Sequence, residues 1–147
     1  MVEFQFDVVG VGLNSVDLLC QVKHFPVFNT KGSLDDISRQ GGGQVATALA
    51  ALSRLEMKTA FIGVVGDDEN GVFSISSLKA DGVNVEGVVV RPDFATQFAI
   101  IIVQSDGDDE ERGGRTILWH REVILRPEDV REDIVKSARM IHVDGHS

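Results

Sequence analysis

Apolar residues come in short blocks along this chain, and the spacing inside each block decides what it can form. Residues 4–12 (Phe-Gln-Phe-Asp-Val-Val-Gly-Val-Gly) and 58–65 (Lys-Thr-Ala-Phe-Ile-Gly-Val-Val) have the length and composition of buried strands. Residues 83–91 and 140–143 are further strand candidates, and 17–22 and 32–38 are shorter, half-exposed ones around Phe25-Pro26. Residues 44–56 carry Val45, Ala48, Leu49, Leu52 and Leu55 at three- and four-residue spacing, which predicts a helix with one apolar face. Residues 71–80 predict a second helix with Val72, Ile75 and Leu78 inward, stopped by Asp81-Gly82. Residues 127–138 predict a third. Pro127 suits its first turn, Glu128 and Asp129 favour its N-terminus, and Lys136 and Arg139 its C-terminus.

Strands alternating with helices imply an α/β fold, a parallel sheet with helices on both faces. Residues 96–104 and 115–120 break that rhythm. They flank an acidic stretch, residues 106–112 (DGDDEER), and read as a long antiparallel hairpin with a solvated loop. No repeat, linker or low-complexity tract divides the chain, so one domain is expected. The chain ends at the C-terminal edge of a strand, before any helix that would return over the sheet, and so reads as truncated.

Composition narrows the class. Of the 147 residues 43% are hydrophobic and 25% charged, as in a soluble globular domain rather than a disordered one. The longest apolar runs, such as residues 99–103, are too short to span a bilayer. The N-terminus carries Glu3 and Asp7 where a secretory signal would be basic. Cys20 is the only cysteine, which rules out an intrachain disulfide or a cysteine-rich zinc site. A cytoplasmic protein is expected. The formal net charge of −9 disfavours nucleic acid and anionic membranes as partners.

Three segments carry candidate chemistry. Residues 10–17 (Gly-Val-Gly-Leu-Asn-Ser-Val-Asp) nearly match the dinucleotide fingerprint G-x-G-x-x-G, with Ser15 in the third glycine's place. That motif must open a helix, but residues 16–28 have poor helical periodicity and run into Pro26. Alternatively, Asn14 and Asp17 are polar groups at a strand's end, suited to the hydroxyls of a polyol. An ordinary turn is the third possibility. Gly41, Gly42 and Gly43 precede the helix at 44, where backbone N–H groups can approach a ligand closely. No Gly-Lys-Ser/Thr follows, so this is not a Walker loop, and a flexible turn is the plainer alternative. Residues 62–71 (IGVVGDDENG) leave a strand through acids that lack calcium-loop spacing; a turn with helix N-capping explains them.

In order and wording these segments resemble the ribokinase-like, or PfkB-type, carbohydrate kinase family. The resemblance runs over nearly the whole chain: the Gly-x-Gly-x-Asn-x-x-Asp opening, the triple glycine before a helix, AFIGVVGDDENG, DGVNVEGV and GGRTILWH. It implies a central α/β sheet covered by a small β lid, and phosphoryl transfer from MgATP to a sugar or nucleoside hydroxyl. By resemblance, Asn14 and Asp17 would bind substrate hydroxyls, and the backbone at Gly41, Gly42 and Gly43 would line the pocket. The lid would comprise residues of about 17–38 and 96–120. There Thr96, Phe98 and Ile100 share one face by alternation and would close over the substrate, or Phe98 and Ile100 would pack the lid core. Arg115 would reach an anionic group or stay solvated. Homodimerisation through the lid is also implied.

Two positions depart from the family pattern. Val45-Ala46 stands where an Asn usually helps hold the sugar, with Gln44 the nearest polar residue. Glu56 stands where a Gly often follows Arg-Leu, which reads as a surface variation. Family members are roughly twice this length, and their second half carries the Asp-Thr-x-Gly-Ala-Gly-Asp base, anion hole and ATP pocket. Neither residues 66–68 nor 106–108 have that wording, so no catalytic residue, cofactor site or metal site is expected in this chain. These 147 residues alone are expected to be inactive. The alternatives are a non-catalytic sugar-binding or dimerisation module and, further off, a dinucleotide-binding protein.

Overall fold

The computed structural model describes residues 3–106 and 113–146; residues 107–112, most of the expected acidic loop, lie outside the described residues. In chain order the elements are β1 (Phe6–Val11), β2 (Ser15–Val22), β3 (Asp36–Gly42), α1 (Gln44–Arg54), β4 (Thr59–Gly66), α2 (Glu69–Ala80), β5 (Asn84–Arg91), β6 (Phe98–Gln104), β7 (Arg115–His120), α3 (Glu132–Lys136) and β8 (Ala138–Val143). A 3-10 turn at Pro127–Asp129 precedes α3.

The strands divide into two sheets. The first runs β5-β4-β1-β8, with every pairing parallel. Its central β4, TAFIGVVG, is buried at all positions, which is why it reads as a continuous apolar run. Val45 and Leu49 of α1 and Leu78 of α2 pack with Val8, Phe61 and Val83 on one face. On the other, Ile134 of α3 packs with Phe6, Val9, Ala60 and Ile62. Helices on both faces of a parallel sheet are what the alternation predicts. The second sheet, β3-β2-β6-β7, contains the expected hairpin, β6 antiparallel to β7.

Three expectations are corrected. The strand placed at 32–38 forms at Asp36–Gly42, because its pairing with β2 continues through the glycines: Gly41 lies opposite Val16 and Gly42 opposite Ser15. Of the residues expected inward on α2, Leu78 is buried and Ile75 half-buried, but Val72 is exposed, and Gly71 and Ser74 are buried in its place. A Cβ at Gly71 would strike the Gly66 carbonyl, so the helix must turn that glycine inward. The helix placed at 127–138 is broken. The Asp129 carboxylate accepts from the Arg126 N–H at 2.8 Å and from the Arg91 guanidinium at 2.7 Å, which ties the turn to β5. Val130 and Arg131 are then extended, and the helix restarts at Glu132 to bring Ile134 to the sheet.

One polar junction joins the two sheets. Asp68 caps α2 by accepting from the Gly71 N–H at 2.8 Å, as the sequence suggests. The same carboxylate accepts from the Thr96 hydroxyl at 2.6 Å and the Thr96 N–H at 2.9 Å. The Thr96 hydroxyl oxygen in turn accepts from the Gly66 N–H at 2.8 Å. Thr96 is fully buried. Gly66 admits no side chain, since a Cβ there would lie 2.7 Å from the Thr96 nitrogen. The end of β4, the start of α2 and the approach to β6 are therefore one hydrogen-bonded unit. Burial pulls the Asp68 pKa upward, but bonds from the Thr96 hydroxyl, and from the N–H groups of Thr96, Gly71 and Asn70, hold it below the ordinary 3.8.

Both long helices end in the same way. In α2 the N–H of Val83 donates to Leu78 and that of Gly82 to Lys79, with Gly82 at φ 83°. In α1 the N–H of Met57 donates to Leu52 and that of Glu56 to Ser53. This is the same Schellman closure, but its left-handed position, φ 66°, is held by Glu56. The departure noted in the sequence thus falls where glycine costs least. Glu56→Gly is expected to raise stability by about 1 kcal/mol, read from denaturant unfolding. An unchanged or lower stability would contradict the assignment. Thr96→Val is expected to cost ~1–3 kcal/mol at pH 7, because it strips bonds from a half-buried carboxylate and from a buried N–H. A carboxyl whose pKa is depressed by folding contributes stability above its unfolded value and loses it as pH falls through the folded one. The difference between wild type and Thr96→Val should therefore narrow below pH 3.8. A gap of equal size at pH 7 and pH 3 would assign the loss to packing alone.

Candidate functional site

The register of the second sheet sorts its side chains onto two faces. Ser15 pairs opposite Gly42, and Asp17 lies between Gln40 and Ala99. Ala99 lies opposite Trp119 and Ile101 opposite Ile117. One face thus carries Ser15 and Asp17 together with Ala99, Ile101, Ile117 and Trp119. Between this face and the start of α1 lies a cavity of about 740 Å3. Its polar lining comes from Ser15, Asp17, Gln44, Thr47 and Gln97 together with Arg121 and His146, and its apolar wall from Ala99, Ile101, Ile117 and Trp119. A few convergent polar groups in a largely apolar cleft are the usual make-up of a small-molecule site.

Asp17 is the carboxylate of this lining. Its Oδ1 accepts from the Ser15 hydroxyl at 3.0 Å, which leaves further acceptor capacity on the carboxylate. The carboxylate lies across Gly42, where any Cβ would collide with it. Gly43 caps α1 at φ 94°, and a Cβ there would lie 2.7 Å from the Asn14 Cα. The triple glycine is therefore no loose turn. Gly41 and Gly42 are the last rungs of β3, and Gly43 lets the chain enter the helix against the start of β2. Gly43 lines the large cavity, while Gly41 and Gly42 border a second one of about 510 Å3 that shares Asp17 and Thr47.

Other expected site residues fall elsewhere. Asn14 is buried, and its amide donates to the Ser74 hydroxyl of α2, away from the large cavity. Thr96 is consumed by the junction with Asp68. Phe98 lies opposite Val16, on the far face of β6, with its ring 5.9 Å from that of His120. Thr96, Phe98 and Ile100 do share a face, but it is the one turned from the large cavity. The neighbours Gln97, Ala99 and Ile101 line it instead. Of the residues singled out from the sequence, the cavity brings together Asp17, Gly43 and Gln44. It adds Ser15, Thr47, Gln97, Trp119 and Arg121, which sequence reasoning missed. Arg115 is exposed at the start of β7. The end of the chain also contributes, since Asp144 accepts from the Leu13 N–H at 2.8 Å and His146 reaches the cavity rim.

Among the described residues no group of three or more His, Cys, Asp or Glu is placed to hold a metal ion. No helix among them is long and apolar enough to cross a membrane.

Comparison with known proteins bears on the whole chain. The sequence pattern of a family described as pfkB family carbohydrate kinase matches residues 5–147. The chain is 29% identical over 136 residues to the ATP-dependent ribose-1-phosphate kinase of Halopiger xanaduensis, covering 92% of this chain and 45% of that protein. It is 27% identical over 139 residues to the fructokinase of Solanum tuberosum, covering 92% and 40%. The structure of Arabidopsis thaliana ribokinase complexed with ribose and ATP superposes with a TM-score of 0.74 at 22% identity, over 94% of this chain and 45% of that one. The ribokinase-like fold expected from the sequence is thus present in part. The chain spans less than half the length of the curated relatives it matches.

Proposed function

The chain belongs to the pfkB family of carbohydrate kinases, and from that premise we propose that it forms the acceptor side of a kinase that phosphorylates a sugar or nucleoside hydroxyl. The observation that carries this reading is the Asp17 carboxylate, seated against Gly42 and facing the large cavity beside Ser15 and Thr47. An ionised carboxylate only accepts hydrogen bonds, so its natural partners are hydroxyl donors, and such charge-assisted bonds are the stronger ones. Phosphoryl transfer depends mainly on holding the acceptor oxygen in line and on stabilising charge. In this reading Asp17 does the holding. Gly42 and Gly43 let the carboxylate and the α1 N-terminus approach the ligand, and Gly41 supports them from β3. Ile101, Ile117 and Trp119 give apolar cover to the carbon face of a sugar.

The second sheet, over about 15–42 and 98–120, is the lid of a single ribokinase-like domain. Asn14, Thr96 and Phe98 act on the frame of the pocket: Asn14 ties β2 to α2, Thr96 anchors β6, and Phe98 packs the outer lid face. ATP would supply the phosphoryl group. Among the described residues no group of three or more His, Cys, Asp or Glu is placed to hold a magnesium ion, and in this reading the nucleotide and its metal are held elsewhere in the full-length protein. A homodimer through the outer face of the lid would cover the exposed Ile37 and Leu118. A cytoplasmic location suits this chemistry.

In the full-length protein assayed with ATP and a panel of sugars and nucleosides, Asp17→Asn is expected to lower kcat/KM by roughly 10- to 100-fold, the worth of one charged hydrogen bond. Wild-type kcat/KM in that variant on every accepted substrate would remove Asp17 from the site. The 147-residue chain alone is expected to show no ATP-dependent phosphorylation of the same panel. Turnover by the purified chain would overturn its assignment as an acceptor side only. Binding by the full-length protein without any turnover would favour the non-catalytic module instead.

A further inference from the structure

Arg121 lies two residues beyond Trp119, just past the end of β7, and lines the large cavity together with Asp17. It also borders a narrow cavity of about 20 Å3 beside Gln97, which is too small for a sugar, so a ligand meets Arg121 in the large one. The residue is half-buried. Its Nη1 donates to the His146 carbonyl, and its guanidinium carbon sits 5.9 Å from the centre of the Trp119 ring. Among the described residues it makes no other hydrogen bond and no ion pair, so most of its donor fork is unused. Carboxylates outnumber cations in this chain by 23 to 14, so the missing partner is not for want of candidates.

Asp17, in the same cavity, is kept from Arg121 by register. It lies opposite Ala99, and Ala99 opposite Trp119, so β6 stands between the strand of Asp17 and the one that leads to Arg121. Two strand spacings come to about 10 Å. The residue between is an alanine, whose small side chain leaves the space open. The cavity therefore offers a carboxylate on one side and a guanidinium on the other, with Trp119 and Ile101 as apolar wall.

We infer that Arg121 is a specificity-determining residue that binds an anionic group of the substrate, a carboxylate or a phosphate, while Asp17 holds its hydroxyls at the other side. This rests on the acceptor-site reading above, and it narrows the substrate class to a sugar that already carries a negative charge. A half-buried cation loses hydration and is best repaid by an anion, and the planar guanidinium fork matches carboxylate and phosphate oxygens in pairs. A neutral sugar would leave that fork unmet. The contacts with the His146 carbonyl and the Trp119 ring hold the side chain in place before the ligand arrives. Arg121 takes no part in phosphoryl transfer; it selects and seats.

The test adds two matched pairs to the neutral panel used with ATP on the full-length protein: D-gluconate with D-glucitol, and D-ribose 5-phosphate with D-ribose. Wild type is expected to favour one anionic probe over its neutral partner at least about tenfold in kcat/KM, and the pair that does so tells carboxylate from phosphate. Arg121→Gln is expected to raise KM for that anion about 10- to 100-fold, with kcat and the KM of the neutral partner within about threefold. Added salt should raise the anion's KM in wild type and hardly move it in Arg121→Gln. Arg121→Lys should recover part of the loss. Preference of the wild type for neutral sugars or nucleosides over both anions would overturn the proposal and leave the Asp17 site standing. So would equal losses on neutral and anionic probes in Arg121→Gln, which would make Arg121 a structural tie to the His146 carbonyl. If no probe of the whole panel, neutral or anionic, is phosphorylated or shifts the melting temperature, the acceptor-site reading falls, and this proposal with it.

Discussion

The carboxylate of Asp68 is the point on which the arrangement of the two sheets turns. It closes the N-terminus of α2 and at the same time fixes Thr96, at the threshold of the second sheet. Thr96 in turn satisfies the N–H of Gly66 at the end of β4. Among the described residues no strand pairs across the two sheets. Their relative placement therefore rests on such junctions and on the connections between elements. A carboxylate with several donors is a directional constraint, unlike apolar packing, and it determines which way β6 leaves the core.

That direction has consequences one residue at a time. With Thr96 held against the core sheet, alternation turns Gln97, Ala99 and Ile101 toward the cavity and Phe98 away from it. The parallel register of β6 with β2 then sets Ala99 beside Asp17, and the hairpin sets Trp119 beside Ala99. Arg39 of β3 adds a second tie, its guanidinium 4.3 Å from the centre of the Phe73 ring of α2. The polar floor and apolar wall of the cavity are products of register. They need no loop of special shape.

The glycines fit the same logic. Gly42 leaves room for the Asp17 carboxylate, and Gly43 supplies a backbone angle that ordinary residues resist. Gly66 and Gly71 make room for the Asp68–Thr96 junction. At Glu56 the chain accepts the strained angle without a glycine, on an exposed helix end where nothing else depends on it. Where the second sheet meets the core the backbone has no slack, and where it meets solvent it has some.

Much of the fold was legible in the sequence. Continuous apolar runs marked β1 and β4, three- and four-residue spacing marked α1, and the acids of residues 62–71 marked a helix cap without telling which of them it was. The order of the motifs pointed to the family and to Asp17 and the triple glycine, since these depend on local wording. Which face of β6 meets the cavity was not legible: Thr96, Phe98 and Ile100 and their neighbours Gln97, Ala99 and Ile101 are equally regular alternations. The same ambiguity blurred the inward face of α2, where Leu78 is buried as expected but Gly71 and Ser74, rather than Val72, complete the buried stripe. Period reports that an element has two faces; only contacts with other elements decide which one is turned inward. The tertiary structure also turned Asn14 toward Ser74 and left the oxygen of Gln97 without a donor among the described residues. Hydrogen-bond partners distant in sequence are set by how the sheets and helices meet, and no local pattern encodes them.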